Sequence, residues 1–104
     1  MVGDEMHREN PVIDQAMFYQ LLGQAPLIST QFADDILRAI QAIQRQNGTL
    51  YLGRLHDSRI YRIGCNPNDE GFKLIFINFE MRNQFADGFE AYCRTVNLKY
   101  YRYF

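Results

Sequence analysis

The side chains that could support acid–base chemistry are few, and two of them are adjacent. His56 is followed by Asp57, and a carboxylate beside an imidazole can orient a general base. No motif places a Ser or Cys nucleophile beside this pair, and neighbouring residues on one turn do not form a catalytic triad. Since Arg54 and Arg59 flank the pair, a small hydrolase or nuclease using His56 and Asp57 stands as an alternative function.

The sequence contains no pattern that is typical of a metal site or a nucleotide-binding site. Cys65 and Cys93 are the two cysteines, and neither has the second Cys or His that a zinc site requires nearby. Residues 66–71 supply oxygen atoms without the spacing of a calcium loop, and no Gly-rich phosphate loop is present. The sequence therefore predicts no metal and no cofactor, and it leaves open whether the two thiols pair.

Tyrosine and arginine dominate the last strand-like segment of the chain. In an extended strand, alternation places Lys99, Tyr101 and Tyr103 on one face and Tyr100 and Arg102 on the other. These residue types are enriched at protein-interface hot spots, and they also suit stacking on single-stranded nucleic acid. The alternative is that the tyrosines cover a sheet edge and the arginines are solvated. The predicted interface residues are Tyr51, Tyr61, Tyr101, Arg102 and Tyr103.

The elements that must position these residues follow from apolar spacing and turn residues. Helical periodicity predicts two helices, over 12–22 and from a cap at Ser29 or Thr30 to Asn47-Gly48, and a third helix over 81–96. Alternation predicts strands over 49–55, 59–65, 72–79 and 98–104. Short connections make the first three of these strands an antiparallel meander.

The resulting prediction is an α+β fold in the order ααβββαβ. It forms one domain over 11–104, after a flexible segment over 1–10. The nearly continuous apolar run in 72–79 indicates a central strand that is buried on both faces or lies under a helix layer.

Bulk composition restricts the classes of function. The 104 residues are 47% hydrophobic and carry a net charge of −1, which is typical of a globular domain without a global field for nucleic acid or acidic membranes. No stretch is long and apolar enough for a membrane span, and the polar first ten residues do not match a signal peptide. The expected location is the cytoplasm, where thiols stay reduced.

In size and general character the chain resembles the small cytosolic immunity proteins that bacteria make against delivered toxins, including those of contact-dependent growth inhibition. The resemblance is one of type, and no motif carries it. It implies stoichiometric capture of a toxin domain and occlusion of its active site. Barstar-like nuclease inhibitors carry a strongly negative surface, and a net charge of −1 departs from that pattern. Acidic residues of the first half, Asp14, Asp34 and Asp35, remain available to a basic partner.

The sequence therefore predicts a non-catalytic module that binds a protein, and the resemblance implies a toxin domain as that protein. The alternatives are the small hydrolase or nuclease and a single-stranded nucleic-acid binder that uses the Tyr/Arg-rich sheet.

Overall fold

A computed structural model describes residues 13–24, 27–29, 33–54, 59–68 and 71–102. The segment 1–10, predicted to be flexible, lies outside the described residues. The elements in chain order are α1 (Gln15–Gln24), β1 (Leu27–Ser29), α2 (Ala33–Arg45), β2 (Thr49–Arg54), β3 (Ile60–Gly64), β4 (Phe72–Phe76), α3 (Phe79–Thr95) and β5 (Lys99–Arg102).

The predicted α+β class and the order ααβββαβ are confirmed, and the structure adds one short strand, β1, between the first two helices. The sheet has the strand order β1-β4-β3-β2-β5. β2, β3 and β4 form the expected antiparallel meander. β5 lies beside β2 and runs parallel to it, so the sheet is mixed.

The junction between β4 and α3 differs from the predicted boundaries. β4 ends at Phe76, three residues before the predicted end, and α3 begins at Phe79 rather than Met81. The cause is Asn78, whose side-chain oxygen accepts a hydrogen bond from the backbone N–H of Met81 at 2.8 Å. This N-cap satisfies an amide that has no partner inside the helix, so the apolar run is interrupted before Phe79.

The start of α2 also differs from the prediction. Ser29 lies in β1, and α2 begins only at Ala33, so Ser29 does not cap the helix. The other predicted cap, Thr30, lies outside the described residues. Asp34 and Asp35 lie in the first turn of α2, next to the partial positive charge of the helix start.

Helices α2 and α3 end in the same type of turn. Asn47 and Asn97 both adopt a positive φ, of 57° and 59°, and in each turn the next amide donates to a carbonyl five residues earlier at 2.8 Å. The two bonds run from Gly48 to Ile43 and from Leu98 to Cys93. This is the Schellman arrangement with Asn in the left-handed position. The first residues of the two strands that follow, Thr49 of β2 and Lys99 of β5, pair directly with each other.

The core lies between one face of the sheet and the three helices. Alternate residues of the central strands are fully buried, and the rings of Phe85 and Phe89 on α3 pack edge-on against Tyr61 of β3. β4 is thus the strand under a helix layer and is not buried on both faces, since Lys73 is exposed. No helix among the described residues is long and apolar enough to cross a membrane.

Candidate functional site

The face of the sheet that points away from the helices has the strongest features of a binding surface. We call it the open face, and strand register defines it by alternate residues of the four longer strands. Its members that carry a side chain are Thr49, Tyr51, Ile60, Arg62, Lys73, Ile75, Lys99 and Tyr101. Every one of them is half-buried or exposed, while their neighbours on the helix side form the core.

Two tyrosines lie side by side on the open face, on the strands β2 and β5. Tyr51 and Tyr101 are direct neighbours on the parallel strands β2 and β5, and their rings stack with centroids 5.8 Å apart and planes 20° from parallel. Tyr101 is 64% exposed although it is a large aromatic residue. Stacking limits the rotamers of both rings, so a partner would meet a surface that is ordered before binding.

The charges on the open face all have one sign. Arg62, Lys73 and Lys99 lie on it, and no Asp or Glu is among its described residues. Arg62 and Lys73 are direct neighbours on antiparallel strands. Cations on a surface favour a partner with an acidic surface.

The helix side of the sheet contains a second polar cluster, built around Glu90. Glu90 on α3 is only 1% exposed. Its Oε2 accepts a hydrogen bond from the Tyr61 hydroxyl at 2.9 Å, and its Oε1 accepts from Arg102 Nε at 2.8 Å. Arg54 Nη2 lies 3.6 Å from the same Oε1 and 2.6 Å from Asp87. The buried carboxylate thus has partners on both oxygens, as buried polar groups require.

This cluster is not arranged for acid–base or nucleophilic catalysis. Burial, followed by the charge of Glu90, raises the pKa of Tyr61 well above its usual value, so the hydroxyl stays a neutral donor. Burial likewise raises the pKa of the Cys93 thiol to about 12, which keeps it protonated and unreactive. No disulfide joins Cys65 and Cys93. Within the described residues, no group of three His, Cys, Asp or Glu side chains could hold a metal ion.

The structure divides the predicted interface residues between these two faces. Tyr51 and Tyr101 come together on the open face, whereas Arg102 points to the helix side and contacts Glu90. The prediction for Tyr61 is wrong, because its side chain has no exposed surface and a partner cannot touch it. Tyr103 lies outside the described residues, as do His56 and Asp57 of the alternative catalytic site.

Sequence reasoning missed Glu90, although the sequence carries a signal for it. The buried positions of α3 recur at spacings of three and four, and they include Phe85, Ala86, Phe89 and Cys93. Glu90 falls within this stripe, and a carboxylate inside an apolar helix stripe must find buried partners. The signal identifies a buried acid, but it does not name Tyr61 and Arg102 as the partners, since both are distant in sequence.

Comparisons of the chain with protein-family models, with curated proteins and with solved structures find no match, so the functional argument rests on the geometry described above.

Proposed function

We propose that this chain is a non-catalytic protein-binding module whose open face docks against an acidic surface of its partner. The observation that carries the proposal is the exposed Tyr51–Tyr101 stack beside Lys99, on a face whose described charges are all positive. Tyrosine supplies large contact area at low entropic cost, and charge complementarity supplies orientation and association rate.

Within this class we propose the role of an immunity protein that captures a toxin domain in the bacterial cytoplasm. The two cysteines are not joined in a disulfide, which suits a reducing compartment. The positive charge of the open face determines which surface of the toxin we expect it to contact. The cations of the open face favour an acidic patch beside the toxin's active site, in contrast to the basic nuclease surfaces that barstar-like inhibitors cover.

The test is affinity capture from a lysate of the source organism with three tagged proteins. These are the wild type, the open-face double variant Lys73→Glu/Lys99→Glu, and the control Arg38→Glu, which reverses an exposed charge on α2. One stoichiometric protein retained by the wild type and by Arg38→Glu, but lost from the double variant, supports the proposal. Retention of the same protein by all three contradicts the open face as the docking surface.

A second candidate is a single-stranded nucleic-acid binder, favoured by the 64% exposed Tyr101 ring on the same face as Lys99, Arg62 and Lys73. The stack disfavours it, because one face of each ring is occupied by the other ring and is closed to a base. Anisotropy of labelled oligo(dT) and oligo(U) separates the two candidates. If the chain contacts three phosphates, a plot of the logarithm of the binding constant against the logarithm of the salt concentration should have a slope of roughly −2. If no oligonucleotide binds at low salt, this candidate is wrong.

A further inference from the structure

A cleft opens on the helix side of the sheet, where the parallel strands β2 and β5 end. Its volume is about 200 Å³, and it is lined by Leu52, Gly53, Arg54, Glu90 and Arg102. Register places Arg102 directly beside Leu52, and Arg54 follows two residues later on the same face of β2. In open sheets, ligands bind at the carboxyl ends of parallel strands, and here both of those ends carry an arginine.

Arg102 is oriented in a way that leaves its outer nitrogens available. Its Nε donates to Glu90 Oε1 at 2.8 Å, while the side chain is 64% exposed. Neither of its two terminal nitrogens donates to any described residue. An arginine anchored through Nε keeps the planar pair of terminal N–H groups that matches a carboxylate through two parallel hydrogen bonds.

Glu90 holds this arginine in place because it is itself fixed. The Tyr61 hydroxyl donates to its second oxygen at 2.9 Å, and the residue is 1% exposed. The charge of Glu90 is also the largest cause of the raised pKa of Arg102. Glu90 is therefore a positioning residue for Arg102.

The charged side chains around the cleft determine which kind of anion it can bind. Arg54 and Arg102 carry two positive charges, and Asp87 and Glu90 carry two negative charges within the same network. A planar monoanion at the outer edge of Arg102 adds one negative charge to this balanced network, whereas a phosphate dianion would add two and would be repelled more strongly by Glu90.

We propose that this cleft is a carboxylate-binding site in which the two terminal nitrogens of Arg102 hold the anion and Arg54 supplies a second cation. The carboxylate belongs either to a free small acid or to an Asp or Glu side chain of another protein. The site does not depend on the proposed function, since Arg102 points away from the open face.

The experiment follows the arginine Nε–Hε signals of the ¹⁵N-labelled full chain at constant ionic strength. Acetate is the free acid, and the capped peptide Ac-Glu-Glu-Glu-NH₂ is the side-chain source. The wild type should give saturable shifts at Arg102 and Arg54. Arg102→Lys keeps the charge but removes the paired donors, and it should weaken binding at least tenfold, while Arg38→Lys on the exposed surface of α2 should bind like the wild type.

The outcomes separate the sources and can overturn the proposal. A peptide affinity at least tenfold above that of acetate assigns the site to a protein side chain, and equal affinities per carboxylate assign it to a free acid. If the Nε–Hε chemical shifts change linearly with the concentration of acetate or peptide, and equally at all arginines, the signals report only on ionic strength and the proposal is wrong. Inorganic phosphate binding more tightly than acetate, or Arg102→Lys binding like the wild type, would also overturn it.

Discussion

Replacing Tyr61 with Phe removes one hydroxyl from a polar contact whose two residues are both fully buried. The ring keeps its edge-on packing against Phe85 and Phe89, at centroid distances of 5.8 and 6.4 Å. What is lost is the 2.9 Å hydrogen bond to Glu90, whose Oε2 then has no donor in a site where the residue is 1% exposed.

A hydrogen bond to a charged acceptor contributes about 1.5–3 kcal/mol when its loss leaves that acceptor buried and unsatisfied. We expect Tyr61→Phe to lower the free energy of unfolding by about 2 kcal/mol. With a urea m-value of about 1.5 kcal/mol/M for a domain of this size, the midpoint should fall by roughly 1.3 M. Urea titration at neutral pH, followed by far-UV circular dichroism, measures this shift.

The matched control is Tyr100→Phe, which removes a hydroxyl from an exposed contact. The Tyr100 hydroxyl accepts from Arg94 at 2.6 Å near the surface, where water can replace it, so its loss should cost less than about 0.5 kcal/mol. If both variants shift the midpoint equally, or Tyr61→Phe shifts it by less than about 0.3 M, burial of Glu90 does not make the contact strong and the reasoning about this cluster fails.

Three further predictions concern single positions. Burial raises the pKa of the Cys93 thiol to about 12. As the pH rises, the thiol therefore loses its proton in the unfolded chain before it does so in the folded protein. The free energy of unfolding should fall between about pH 8.5 and 12, by up to about 1.4 kcal/mol per pH unit. Under reducing conditions the stability of Cys93→Ala should fall less steeply over that range, and equal slopes would contradict the buried thiol. Asn97→Ala should cost about 1 kcal/mol in urea unfolding because Ala disfavours a positive φ, while Asn97→Gly should cost nothing. Gly71→Ala should cost at least about 2 kcal/mol, because φ is +71° and a Cβ would collide with the carbonyl oxygen of Ile63. Gly23→Ala, with nothing within 4 Å, should be neutral or stabilising, and equal effects of the two substitutions on the melting temperature would refute the collision.

Local sequence predicted the parts of the fold that local physics decides. The apolar period of α2 and the alternation in β2 and β3 identify those elements because each has one buried face. Asn47-Gly48 identifies the end of α2, although the positive φ expected at Gly48 is adopted by Asn47 instead. β1 escaped prediction because three residues are too few for a period, and its pairing with β4 is a long-range contact.

The candidate site was only partly predictable for the same reason. Alternation in 99–103 correctly separated Tyr101 from Tyr100 and Arg102, since the first lies on the open face and the other two contact α3 residues. Composition alone could not tell that Tyr61 is buried, because Tyr occurs in cores and on surfaces alike and its partner Glu90 lies 29 residues away.

The direction of β5 links the two faces. The second Schellman turn, at Asn97, sends the chain into β5 as the first, at Asn47, sends it into β2. The two strands run parallel, and their carboxyl ends lie at the same end of the sheet. This places Tyr101 beside Tyr51 on the open face and, one residue later, brings Arg102 into the same cleft as Arg54 on the helix side. The open-face stack and the arginine cleft therefore both depend on the parallel pairing of β2 with β5.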